Sequence, residues 1–253
     1  MSSLICKQLT VSIGNTLVCQ NLDLALQEKQ CWALLGKNGS GKTTLIHTLA
    51  GLRQPQQGTI QLQQKALSDF NAKQLARQVG VLFQNESDQF PSTVLEYTLI
   101  GRHPHLGWLQ WESQQDIDIA EKALQQVDLL DMKERDINTL SGGERRRMNI
   151  ACLLTQNPNI ALLDEPGNHL DLQHQIETLS LIRQQYENRT LLMSAHDINL
   201  AVRYCTHALL LFGNGETIQG PLSEILTTDN LQRLYGIPIQ KLETDTHTYF
   251  YPQ

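Results

Sequence analysis

Two short stretches of this 253-residue chain hold the residue types that phosphate chemistry needs. The first spans residues 36–44, reads GKNGSGKTT, and sits between the apolar runs CWALL and LIHTL. Gly36, Gly41, Lys42 and Thr43 satisfy GxxxxGK[ST], a loop whose glycines let backbone N–H groups close on phosphate oxygens. Gly36, Asn38, Gly39, Ser40, Gly41, Lys42, Thr43 and Thr44 are therefore predicted to hold a nucleotide. Lys42 would reach the β- and γ-phosphates, the Thr43 hydroxyl would ligate Mg²⁺, and the following helix would add its positive N-terminal end. The second stretch, residues 160–165, runs through four apolar residues into Asp164 and Glu165. Alone, the pair would read as solvated acids closing a strand. Downstream of a phosphate loop, Asp164 reads as the second Mg²⁺ anchor, acting through water, and Glu165 as the group that orients and polarises the attacking water.

A third segment lies about twenty residues before the acidic strand: Leu140-Ser141-Gly142-Gly143-Glu144. Ser141 is a favourable helix N-cap, and Gly142 and Gly143 can bring backbone N–H groups close to an anion. By itself it reads as a helix start after a flexible turn.

These groups need a scaffold. Residues 4–11 and 17–26 are β-rich around Gly14-Asn15, a hairpin signal, and a further strand is expected over 58–62. Residues 79–83 form another short strand pattern ending at Gln84, and 85–91 are polar and turn-like. A capping box starts a helix at Thr93, and helices follow over 113–127, with Ile117, Ala120, Leu124 and Val127 apolar, and over 141–156. Strands at 159–164, 190–194 and 207–212 then alternate with helices at 172–186 and 197–204. On the first of these helices Leu172, Ile176, Leu179, Ile182 and Tyr186 are expected to lie on one side. Strands alternating with helices after a phosphate loop predict an α/β, doubly wound, mostly parallel sheet with an antiparallel β layer beside it. The expected division is a core of residues 1–84 and 158–253 and an inserted helical subdomain of residues 85–157, in a single domain 1–253.

Bulk properties narrow the classes. Twenty Lys and Arg against twenty-six Asp and Glu leave a net charge of −6, so no global field favours nucleic acid or an anionic membrane. No apolar run approaches the roughly 20 residues of a membrane span, and MSSLICKQL is not a secretory leader; the expected location is the cytoplasm. The five cysteines are widely spaced without CxxC or a Cys/His cluster, and read as buried thiols rather than a metal site. Arg145-Arg146-Arg147 read as a solvated helix face rather than a nucleic-acid patch.

The phosphate loop, LSGG at 140–143 and LLDEP at 162–166 together resemble the ATP-binding cassette ATPases over nearly the whole chain. The resemblance implies the P-loop NTPase (RecA-like) fold, ATP and Mg²⁺ as cofactors, and two copies meeting head to tail. Each ATP would then lie between one phosphate loop and the other copy's Ser141, Gly142 and Gly143. It further implies that Gln84 contacts Mg²⁺ or the attacking water, that Asp171 is the D-loop aspartate, and that His196 is the switch histidine near the γ-phosphate. Where the family often has an adenine-stacking aromatic, this chain has Ile13. Glu144 stands where glutamine is commonest, and Gly167 where threonine is usual.

The run Ile100-Gly101-Arg102-His103-Pro104-His105 and the tail Tyr235-Gly236-Ile237-Pro238 resemble ATPases of importers for iron-siderophores, haem and cobalamin. That narrower resemblance implies an ATPase subunit on the cytoplasmic face of the inner membrane. It would work as a homodimer beneath two polytopic permease subunits, be served indirectly by a substrate-binding protein, and bind no nucleic acid. The alternative is a soluble non-transport cassette such as an iron–sulfur assembly factor. His103 and His105 lack a third ligand and are expected to be structural; Trp108 and Trp111 either pack in the subdomain or meet the partner.

Overall fold

The computed structural model describes residues 4–84, 91–244 and 248–253, so most of the turn expected over 85–91 lies outside the described residues. Strands β1 (Leu4–Ile13) and β2 (Thr16–Leu26) pair antiparallel, with Ile13 opposite Thr16 across Gly14-Asn15. Strand β3 (Cys31–Gly36) is buried at every position, as a strand covered on both faces must be, and the glycine loop joins it to α1 (Lys42–Leu49). Strands β4 (Gln57–Leu62) and β5 (Lys65–Ala66) extend the hairpin into an antiparallel sheet of order β2-β1-β4-β5. Helix α2 (Ala72–Gln78) was not predicted: in AKQLARQ only Leu75 is a large apolar residue, and the element is announced instead by the Asn71/Gln74 capping box. It leads into β6 (Val79–Leu82).

The expected helices follow as α3 (Val94–Leu99), α4 (Gln114–Gln126) and α5 (Gly142–Gln156), with a 3₁₀ turn over Ile100–His105 after the first. Each opens on a reciprocal capping box, Thr93/Glu96, Ser113/Asp116 and Ser141/Glu144, which satisfies backbone N–H groups that the first turn leaves without partners. Their inner residues, Val94, Leu124, Met148 and Ile150, share a core with Leu82 and Leu163.

The chain then alternates: β7 (Ile160–Leu163), α6 (Leu172–Gln185), β8 (Thr190–Ser194), α7 (Ile198–Tyr204) and β9 (His207–Leu211). It closes with β10 (Thr217–Pro221), α8 (Leu222–Ile225), α9 (Thr228–Tyr235) and the hairpin β11 (Ile239–Glu243)–β12 (Thr248–Pro252). The main sheet has the order β10-β9-β3-β8-β7-β6, parallel throughout except for β10. Alternate residues of β3 face opposite layers, Trp32 and Leu34 toward α1 and the antiparallel sheet, Ala33 and Leu35 toward α7 and the C-terminal elements. On α6 Leu179, Ile182 and Tyr186 are buried and Ile176 is half-buried, whereas Leu172, at the first helical position, is 71 % exposed. Cys6, Cys19 and Cys31 are buried, Cys152 and Cys205 half-buried, and none of the five is in a disulfide. Among the described residues no helix is long and apolar enough to cross a membrane.

Candidate functional site

The phosphate loop is shaped by contacts that only small residues allow. Gly41 caps α1 in the left-handed region at φ +96°, and a Cβ there would meet Val18 Cγ2 at 2.3 Å, so β2 presses directly on the loop. Lys42, the first helical residue, is 6 % exposed; its Nζ donates to the carbonyls of Gly36 at 2.9 Å and Lys37 at 3.3 Å, tying the start of the loop to its end. Burial lowers the Lys42 pKa, opposed by the nearby charges of Glu165 and Asp164. Asn38 and Gly39 are exposed, Thr43 is half-buried, and Ser40 and Thr44 are buried. The Ser40 hydroxyl has no hydrogen-bond partner among the described residues.

Parallel pairing of β6, β7 and β8 brings their C-terminal ends to one edge of the sheet, the edge at which open α/β sheets bind ligands. Gln84 follows β6, Asp164 and Glu165 follow β7, and His196 follows β8. Asp164 is wholly buried. Its N–H donates to Leu82 O at 2.8 Å, its Oδ1 accepts from the Ser194 hydroxyl at 2.6 Å, and its Oδ2 has no partner among the described residues. Glu165 is 7 % exposed and holds φ +51°. Its N–H donates to Ser194 Oγ at 2.9 Å; Oε2 accepts from Gln84 Nε2 at 2.8 Å and from Asn168 Nδ2, and Oε1 is hydrogen-bonded to His196 Nε2. Two of the sequence-predicted residues, Gln84 and His196, thus meet on the carboxylate of a third, and the Asn168 amide joins them in holding it.

Ser141, Gly142, Gly143 and Asp171 form a separate, largely exposed group. Ser141 caps α5 reciprocally with Glu144, at 2.7 Å from Ser141 N–H to Glu144 Oε2, so the glutamate at the position where glutamine is usual completes the cap. The bond to Ser141 N–H is the main cause of its lowered pKa. A Cβ on Gly143 would lie 3.3 Å from His169 O, so the segment leading to Asp171 runs alongside the start of α5. Asp171 caps α6 and pairs with His174 Nδ1 at 2.8 Å.

Asn168, Ser194 and Arg146 were not singled out from sequence. The expectation of a solvated face at Arg145-Arg146-Arg147 is wrong for its central member: Arg146 is 4 % exposed, and its guanidinium donates to the carbonyls of Phe83, Asp164, Glu165 and Pro166. The flanking pair also turns inward, Arg145 to Ile137 O at 3.2 Å and Arg147 to Val127 O at 3.0 Å. Helical spacing carried the signal, since Arg146, Ile150 and Leu153 stand at i, i+4 and i+7 and all are buried. Gly167 also has a local reason: a Cβ there would meet Gln175 Nε2 at 2.5 Å. Ile13, at the end of β1, is 44 % exposed.

Toward α4, Arg102 pairs with Asp116 at 2.8 Å and donates to Thr155 O at 3.1 Å, while His105 Nε2 bonds Gln156 O at 2.9 Å. Trp108 and Trp111 are 92 % and 85 % exposed, which removes packing within the subdomain as their role. A cavity of about 530 Å³ lies between β4, β5 and α2, lined only by residues 48–81. Its α2 wall is bonded to the 3₁₀ turn through Lys73 Nζ to Leu106 O at 3.0 Å and Arg77 Nε to Pro104 O at 2.7 Å.

Residues 19–168 match the ABC transporter family. The chain is 34% identical over 242 residues to the probable siderophore transport system ATP-binding protein YusV of Bacillus subtilis, spanning 95% of this chain and 88% of that one. It is 35% identical to the ferric enterobactin transport ATP-binding protein FepC of Escherichia coli, over 91% of this chain and 86% of the other. Among solved structures, an inward-facing putative metal-chelate type ABC transporter superposes with a TM-score of 0.86 at 30% identity, covering 100% of this chain and 98% of that one. The dimeric ABC transporter cassette MJ0796 gives 0.77 at 25% identity, covering 87% and 98%. The chain belongs to the ABC transporter family, whose ATP-binding proteins hydrolyse ATP to drive transport.

Proposed function

We propose that the chain is the ATP-hydrolysing subunit of an importer for a metal chelate, an iron-siderophore, haem or cobalamin, at the cytoplasmic face of the inner membrane. The observation that carries the hydrolytic part is the Glu165 carboxylate, nearly buried and held by Gln84, Asn168 and His196 at the edge of the sheet where the phosphate loop also ends. The transport names of YusV and FepC support the substrate class and weigh against a soluble, non-transport ATPase.

In this reading Gly36, Asn38, Gly39, Ser40, Gly41, Lys42, Thr43 and Thr44 bind the phosphates of ATP. Lys42 leaves its loop carbonyls to meet the β- and γ-phosphates, Glu165 orients and polarises the attacking water, and His196 and Gln84 hold that carboxylate and face the γ-phosphate. The residues fit Mg²⁺: Asp164 presents a buried carboxylate oxygen that has no partner among the described residues, and the bond from Gln84 to Glu165 uses its Nε2 and not its carbonyl oxygen. Thr43, Gln84 and Asp164 would hold the ion, which when bound neutralises phosphate charge.

Ser141, Gly142, Gly143 and Asp171 of one copy would cover the nucleotide of a second; their exposure and the dimeric solved cassette support a homodimer. The 530 Å³ cavity, with exposed Trp108, Leu109 and Trp111 beyond the 3₁₀ turn bonded to its wall, suits a cytoplasmic segment of a permease, and a substrate-binding protein would act through that permease. Residues 1–84 and 158–253 form the catalytic core in this scheme and 85–157 the helical subdomain. The net charge of −6 and the engaged Arg145-Arg146-Arg147 run argue against a nucleic-acid partner. Purification of the chain from detergent-solubilised membranes is expected to bring down a polytopic partner. A chain that stays wholly in the soluble fraction, with neighbouring genes that encode no permease, would sink the transport reading.

A further inference from the structure

The helix that starts at the Ser141 cap reaches the Glu165 cluster through Arg146. This guanidinium lies in the second turn of α5, 4 % exposed, and donates to Asp164 O at 2.6 Å, Glu165 O at 2.7 Å, Pro166 O at 3.3 Å and Phe83 O. Three of those carbonyls belong to consecutive residues centred on Glu165, and the fourth to the residue before Gln84. The planar fork of an arginine meets several acceptors at once in fixed geometry, which a lysine or glutamine cannot copy.

What it holds needs holding. Glu165 has φ +51°, a region that a glutamate enters only where its surroundings over-determine it. Fixing the carbonyls before, at and after this residue fixes the direction of its side chain. The bond to Phe83 O brings the base of Gln84 to the same anchor, and Gln84 in turn bonds the carboxylate at 2.8 Å. Ser141, Gly142 and Gly143 open the same helix.

We propose that Arg146 is a positioning residue for ATP hydrolysis: from the helix that carries Ser141, Gly142 and Gly143 it sets the peptides of Glu165 and the approach of Gln84. Resting on the role given to Glu165, it keeps the water-polarising carboxylate in register with the surface that covers the partner copy's nucleotide. Hydrolysis and the geometry of Ser141, Gly142 and Gly143 are then joined within one chain as well as across the dimer.

The test uses the full-length chain with Mg²⁺ and ATP, comparing wild type, Arg146→Ala, Arg146→Lys, Arg146→Gln and Glu165→Gln. Misplacing a catalytic group by about 1 Å costs on the order of 100-fold in rate, so Arg146→Ala is expected to lose roughly 10- to 100-fold in kcat. KM for ATP and the affinity for a fluorescent ATP analogue should stay within about twofold. Guanidinium ion at millimolar concentration should restore part of the rate to Arg146→Ala and none to Glu165→Gln, and Arg146→Lys should fall between. An Arg146→Ala enzyme at the wild-type rate beside an inactive Glu165→Gln overturns the proposal alone; an active Glu165→Gln removes the role of Glu165 on which it rests. If Arg146→Ala fails to fold, Arg146→Lys and Arg146→Gln carry the test. Loss of ATP affinity in step with kcat in those two variants makes Arg146 a structural residue and overturns the proposal.

Discussion

Replacing Glu165 by glutamine keeps the shape of the side chain and removes its charge, and the hydrogen bonds around it dictate how the new amide must sit. Oε2 receives two N–H donors, from Gln84 and Asn168. The glutamine must keep its oxygen there, because its own NH₂ would face two donors. The NH₂ then points at His196 Nε2, which accepts once the imidazole carries its proton on Nδ1. All contacts survive as neutral ones, so the cost to folding is a weakening of charge-assisted bonds, about 1–2 kcal/mol. Chemistry suffers more. A general base contributes about 10²- to 10⁴-fold, or roughly 3–5 kcal/mol of barrier. Glu165→Gln is therefore expected to bind ATP as wild type does, lose about 10²- to 10⁴-fold in hydrolysis, and accumulate as a closed, ATP-loaded dimer. Single-turnover hydrolysis of labelled ATP measures the rate, and gel filtration with ATP the dimer. A rate within about tenfold of wild type would refute the assignment of the base. Lost ATP binding would refute the hydrogen-bond argument.

Two other perturbations test local packing and charge. Gly167→Thr, which installs the residue usual in the family, should destabilise by about 1–3 kcal/mol, because its Cβ would lie 2.5 Å from Gln175 Nε2. Adding Gln175→Ala should recover most of that, so urea unfolding of the double variant with no recovery would place the clash elsewhere. Asp116 should titrate at about 2, held down first by the Ser113 hydroxyl and then by the Arg102 guanidinium. Its folded pKa is depressed, so the stability it contributes is complete above about pH 4 and disappears as the pH falls through about 2. Ser113→Ala should raise that pKa and flatten the stability loss between pH 4 and 2, read by NMR titration and acid unfolding; an unchanged midpoint would contradict the geometry.

Residues that act through their own backbone neighbourhood were legible in the chain. The phosphate loop needs only a strand, a run of small residues and a helix start, all local, and residues 36–44 carry them in order. The caps at Thr93 and Ser141 are equally local, as a side chain reaching an N–H three residues away. The identity of Glu165 as a terminal carboxylate followed from the apolar run before it.

What tertiary structure alone decided is who meets that carboxylate. Gln84, Asn168 and His196 converge because β6, β7 and β8 lie side by side although residues 83–159 separate β6 from β7, and strand order is a property of the packed sheet. Arg146 shows the same limit: three arginines in a row resemble a solvated face, and only the packing of α5 beside the residues that follow β6 and β7 turns one of them onto four carbonyls. Leu172, apolar but exposed, errs in the other direction, since periodicity gives the side of a helix and not the point where the core stops. Local order along the chain determined which chemistry this protein carries, because caps, loops and strand ends are made by near neighbours. Packing decided how the Glu165 carboxylate is held, because hydrogen bonds between distant segments exist only once the sheet has set their distance.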